Sequence, residues 1–150
     1  MARSNGIQAV TFDVGGTLIA ARPSVGEVYA RIAARHSPER LRPDLLDRRF
    51  AEAWRRLRPF QHHREDWARL VDTVFDGLLP RRPSETFFDE LYAEFTRPEA
   101  WQVFDDVVPT LEALAAQGLD IGIVSNWDER LRPLLASLRL DRYFNGLVVS

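Results

Sequence analysis

Cysteine and lysine are both absent from the 150 residues, and methionine occurs once. Without cysteine there are no disulfides, no thiolate metal ligands and no cysteine nucleophile. Without lysine, all 20 basic residues are arginine, so no side-chain ammonium is available as a point charge or proton donor. Long apolar runs are missing too. No stretch approaches the roughly 20 residues that cross a bilayer, and the N-terminus Met1–Gly6 lacks the apolar segment of a secretory signal. A membrane partner is therefore not expected, and a cytoplasmic address is. An excess of positive charge is also lacking: the net charge is -2 with a pI near 5.9, which disfavours nucleic acid as a partner. What remains is a chain that is 45% hydrophobic, enough for one folded domain or a small core with an insertion.

Apolar periodicity divides the chain. Ile7–Phe12 is an apolar run with β character that breaks into Asp13-Val14-Gly15-Gly16-Thr17-Leu18. Residues 24–97 then carry four helical patterns in succession. Ser24 with Glu27 reads as a capping box opening the first, whose Val25, Val28, Tyr29 and Ile32 share a face. The second begins near Pro43, lines up Leu46, Phe50, Ala53, Trp54 and Leu57, and stops at Pro59. The third holds Trp67, Leu70, Val71, Val74, Phe75 and Leu78; the fourth runs from Ser84 to Pro98 through Phe87, Phe88, Leu91, Tyr92 and Phe95. Beyond Pro98 the pattern becomes a helix over Val107–Gln117 closed by Gly118, a strand Asp120–Ser125, a helix with Leu131, Leu134, Leu135 and Leu138, and a last strand Gly146–Ser150. Strands separated by amphipathic helices imply parallel βαβ units. The expected architecture is α/β: a Rossmann-like doubly wound parallel sheet from residues 1–20 and 99–150, with a helical insertion over 21–98.

Two turns are candidates for the chemistry, the alternatives being a plain Asp-containing turn at the first and helix capping by Ser125, Asn126 or Asp128 at the second. Asp13 falls at the carboxyl end of the first strand beside a glycine turn, the place where open α/β sheets present reactive groups to anionic ligands. Ser125-Asn126-Trp127-Asp128 follows the second strand in the same way, so both turns belong to one rim of a parallel sheet. Ser125 Oγ and the Asn126 amide are then placed to bind anionic oxygens near Asp13. Asp128 reads as the cap of a helix starting near Glu129, and Asp105-Asp106 as the cap of the helix at Val107. His62-His63 reads as a pair of polar turn residues, Trp54 and Trp67 as packing, and Arg48-Arg49, Arg55-Arg56-Leu57-Arg58 and Arg81-Arg82 as a solvated face balanced by acids.

Asp13-Val14-Gly15-Gly16-Thr17-Leu18, the helical insertion after it and the later Val124-Ser125-Asn126 together resemble the haloacid dehalogenase-like (HAD) hydrolase superfamily with a helical cap of the first type, over essentially the whole chain. The resemblance implies Asp13 as catalytic nucleophile on a small phosphorylated metabolite. It implies Mg2+ held by the Asp13 side chain and the Gly15 carbonyl, with Ser125, Asn126 and Gly16 contacting substrate and Thr17 bracing the turn. Most phosphatases of the family place a second acid two residues after the nucleophile, where this chain has Gly15. A 2-haloacid dehalogenase-type hydrolase, with Asn126 as halide contact, and a non-catalytic protein of the same fold remain open alternatives. The resemblance further implies a longer hydrolase, since the chain ends before the lysine and acidic motif the family uses. Weak activity is accordingly expected of the 150 residues alone.

Overall fold

Ile7 and Gln8 lie outside the first strand, which forms only over Ala9–Phe12 (β1), where β-branched and aromatic residues concentrate. The computed structural model describes residues 6–149. Met1–Asn5, read above for a signal segment, and Ser150, assigned to the last strand, lie outside the described residues. In chain order follow β2 (Ile19–Ala21), α1 (Val25–Ala33), α2 (Pro43–Arg56), α3 (Arg64–Phe75), α4 (Phe88–Glu94), β3 (Trp101–Val103), α5 (Val107–Ala116), β4 (Asp120–Ser125), α6 (Leu131–Ser137) and β5 (Gly146–Val149). The short strands β2 and β3, which pair with each other, have no counterpart in the periodicity. Two compact units result, Met1–Ala20 with Val103–Ser150, and Ala21–Gln102.

In the first unit, the α/β expectation holds: β1, β4 and β5 form a parallel sheet in that order. The register pairs Val10 with Ile121 and Phe12 with Ile123, and then Ile123 with Leu147. Paired residues in a parallel ladder point to the same side. Ile121, Ile123 and Ser125 are buried and define the covered face, and α5 packs on β4. On the opposite face Val124 stands beside Val148, 53% and 60% exposed. Asp106 precedes α5 but makes no side-chain cap there, so the expected carboxylate cap is replaced by backbone contacts such as Val107 N–H to the Phe104 carbonyl.

The second unit buries its own core, centred on Tyr29, Ile32, Leu46, Leu70, Val74, Phe75 and Phe88. Tyr29 stacks on Phe75 with ring centroids 5.6 Å apart, a geometry that adds about 1 kcal/mol beyond area burial. Ser24 caps α1 by accepting from the Glu27 N–H, and its own hydroxyl donates to Asp47. The fourth helical pattern is split: a single 3-10 turn over Pro83–Glu85 precedes α4, which starts only at Phe88. The histidine pair also departs from its reading. His63 caps α3 in a reciprocal arrangement with Asp66, whereas His62 is buried among Trp54, Phe60 and Trp67 and adopts a left-handed backbone, φ 62°. Among the described residues, no helix is long and apolar enough to cross a membrane.

Candidate active site at the strand tips

β1 ends at Phe12 and the chain turns immediately. Val14 is fully buried, and its carbonyl accepts from the N–H groups of Thr17, Leu18 and Ile19 at 3.1, 2.8 and 3.2 Å. Gly16 donates its N–H to the Ile19 carbonyl at 2.8 Å and has φ +76°, the left-handed region where glycine carries no Cβ penalty. Anchoring by Val14 leaves Asp13, Gly15, Gly16 and Thr17 exposed on the rim. Thr17 braces this turn through its backbone. Gly16 commits its N–H to the turn and leaves its bare Cα on the rim.

The second turn meets the first. Ser125, the last residue of β4 and 3% exposed, donates from Oγ to Asp13 Oδ1 at 2.7 Å. One hydroxyl hydrogen bond orients the carboxylate and leaves Oδ2 outside that bond. Asn126 is exposed next to it, and Trp127, half-buried, lays its ring against Gly15. Asp128 does not cap α6 from the helix boundary. It is buried, accepts at Oδ1 from the Arg130 N–H (3.0 Å) and Nε (2.8 Å), and at Oδ2 from Nη2 (2.5 Å). The helix starts one residue beyond Arg130, which occupies the cap position without a side-chain cap. This two-pronged pair neutralises both buried charges and fixes the loop that carries Ser125 to Trp127. The sequence reading assigned no role to Trp127 or Arg130. The available signal was the offset: Gly15 lies two residues past Asp13, and Trp127 two past Ser125, on neighbouring parallel strands.

The donor chemistry suits a hard divalent cation in part. An exposed carboxylate and the Gly15 carbonyl, which takes no part in the turn's hydrogen bonds to Val14 and Ile19, are oxygen ligands of the kind Mg2+ accepts. Mg2+ commonly binds through few protein oxygens while keeping several waters. Among the described residues, no three carboxylate or histidine side chains gather into a cation cage.

A parallel sheet that holds an aspartate and a serine together at its carboxyl rim defines a class: open α/β proteins with a polar pair at the strand tips. The chain belongs to the haloacid dehalogenase-like hydrolase family, which it matches over residues 7–150. It is 30% identical over 161 aligned positions to human haloacid dehalogenase-like hydrolase domain-containing protein 3, covering all of this chain and 64% of that protein. The phosphoglycolate phosphatase of Yersinia pestis is 28% identical over 152 positions, covering 99% of this chain and 61% of that protein. Among solved structures, L-2-haloacid dehalogenase from Xanthobacter autotrophicus with chloropropionic acid covalently bound superposes with a TM-score of 0.64 at 23% identity, over 96% of this chain and 57% of that one. This last likeness is one of fold. The chain thus spans less than two thirds of the length of each of these relatives.

Proposed function

We propose that Asp13 is the nucleophile of a Mg2+-dependent phosphatase site acting on a small phosphorylated metabolite, with the helical insertion as its cap. The observation that carries this reading is the 2.7 Å hydrogen bond from Ser125 to Asp13, which joins the two chemical turns at one rim. A carboxylate oxygen of Asp13 forms a bond to phosphorus while the bond to the leaving oxygen breaks, its electron pair departing on that oxygen. Water then attacks phosphorus, the bond to the Asp13 oxygen breaks with its electron pair returning to the carboxylate, and the water's surplus proton passes to solvent. The Asn126 amide holds the oxygens of the transferred group, Ser125 Oγ turns its one proton from Asp13 to them when substrate binds, and glycine at position 16 allows close approach. Mg2+, when bound at Asp13 and the Gly15 carbonyl, supplies positive charge against the repulsion between carboxylate and phosphate. The phosphoglycolate phosphatase relative supports phosphate as the group transferred.

Turnover by the 150-residue chain is expected to be slow. The turn Val14-Gly15-Gly16-Thr17 contains no titratable group, and no lysine is present. General acid–base assistance is worth about 100-fold to 10,000-fold where it operates. The test is hydrolysis of p-nitrophenyl phosphate with Mg2+ by the full chain and by Asp13→Asn: activity should vanish in the variant, and equal rates would remove Asp13 from the mechanism. The same lack of an acid at position 15 favours a second reading, displacement of halide from carbon, because halide leaves without a proton. EDTA separates the two, abolishing phosphate release while leaving chloride release from 2-chloropropionate untouched.

A further inference from the structure

Gly15 and Gly16 are glycines for different reasons. Gly16 requires its left-handed backbone, and a Cβ built on it meets nothing within 4 Å. Gly15 has no positive φ; a Cβ there would lie 3.2 Å from Cζ3 of Trp127 and 3.9 Å from Cη2. That first distance is closer than carbon atoms pack at their optimum of about 3.5–4.0 Å. The benzo edge of the indole therefore stands where a side chain at residue 15 would begin. Residue 15 is two positions past Asp13, and Trp127 is two past Ser125, whose hydroxyl is 2.7 Å from the Asp13 carboxylate. The ring thus stands against the turn that carries the proposed nucleophile and takes the space a side chain at 15 would fill.

We infer that Trp127 is a specificity-determining residue, an apolar aromatic wall beside Asp13 that selects phosphate esters with a flat leaving group able to depart as a stable anion: aryl phosphates rather than alkyl phosphates. This rests on the reading of Asp13 as nucleophile. Two arguments meet here. An indole offers a face or edge against which an aromatic leaving group packs better than a polar aliphatic one. The turn also has no acid to protonate the departing oxygen, so the electron pair left when the phosphorus–oxygen bond breaks stays on the aryloxide, which solvent protonates afterwards.

The test compares kcat/KM in the full chain for p-nitrophenyl phosphate, acetyl phosphate and glycerol phosphate. Acetyl phosphate has a good leaving group without a ring, so its ratio to p-nitrophenyl phosphate isolates the aromatic contact. That ratio should favour the aryl ester in the native protein and fall about tenfold in Trp127→Leu, chiefly through KM. An unchanged ratio overturns the inference. Asp13→Asn, run alongside on all three substrates, shows separately whether the nucleophile reading fails. A second readout needs no turnover: Gly15→Ala should lower the midpoint of thermal unfolding, and Gly15→Ala with Trp127→Leu should recover it. Equal losses in the presence and absence of the indole would show that the ring does not fill that space.

Discussion

Asp66 shows how a single carboxylate can be more than a surface charge. It accepts from the Gln61 N–H at 2.9 Å and from the His63 N–H at 3.3 Å, and it pairs with Arg69 one turn on. The Gln61 amide, foremost, with Arg69 and His63 holds its carboxyl below the ordinary carboxylate range, against the opposing effect of burial. A depressed folded value means that the unfolded chain takes up a proton before the folded one does. The stabilisation is therefore full above the ordinary value of 3.8 and is lost as pH falls through the lowered folded value. Thermal unfolding should accordingly show Asp66→Asn less stable than the native protein at neutral pH, with the gap closing in strong acid. A gap independent of pH would assign the effect to packing alone.

At the level of elements, the junction of α1 and α2 depends on Gly26. A Cβ there would run into the Pro43 carbonyl oxygen and lie 2.8 Å from the Asp47 backbone nitrogen, both on α2. Asp47 also accepts from the Gly26 N–H and the Ser24 hydroxyl at 2.7 Å each, stitching the start of one helix to the next. Helix propensity by itself favours alanine over glycine by about 1 kcal/mol. Backbone atoms cannot yield as a flexible side chain can, and overpacking costs about 1–3 kcal/mol or more, so the clash wins. Gly26→Ala should destabilise the protein by about 2 kcal/mol or more in urea unfolding, and a stabilised variant would refute the close approach.

Helices and main strands were legible because their signals are local. Pro43 and Pro59 bracket α2, Gly118 follows α5, and the stripe from Trp67 to Phe75 fixes α3 within a few residues. Asp13 and Ser125 were legible as a pair because strand ends in a parallel sheet share a rim. What escaped notice depends on contacts across the chain. Nothing near Gly26 announces Pro43, and the pairing of β2 with β3 joins residues some eighty positions apart. His62 was misread for a related reason: its partners Trp54, Phe60 and Trp67 bury it from flanking segments, whereas composition alone marks a histidine pair as polar. Asp128 precedes α6, and its carboxylate takes both the backbone N–H and the guanidinium of Arg130, so a cap-like bond and an ion pair coexist.

At the scale of the molecule, the sheet is covered on one face and bare on the other. Val124 and Val148 lie side by side on the bare face, with Thr11, Gly122 and Gly146 adding little bulk. Adjacent exposed valines form an apolar patch that dyes and other apolar surfaces bind. Binding of 8-anilinonaphthalene-1-sulfonate to the native state should fall in Val124→Ser with Val148→Ser, with the folded signal in circular dichroism retained. Undiminished fluorescence would place the dye elsewhere.

The contact between Ser125 and Asp13 spans 112 positions of sequence. No fragment lacking either end of that span can make it, and a partly unfolded chain loses it as soon as β1 and β4 separate. The hydroxyl–carboxylate contact is therefore an internal gauge of whether the two ends of the core segment have come together, and an isotopic label in either residue, which leaves both groups intact, would read the integrity of the sheet even in a variant that turns over nothing.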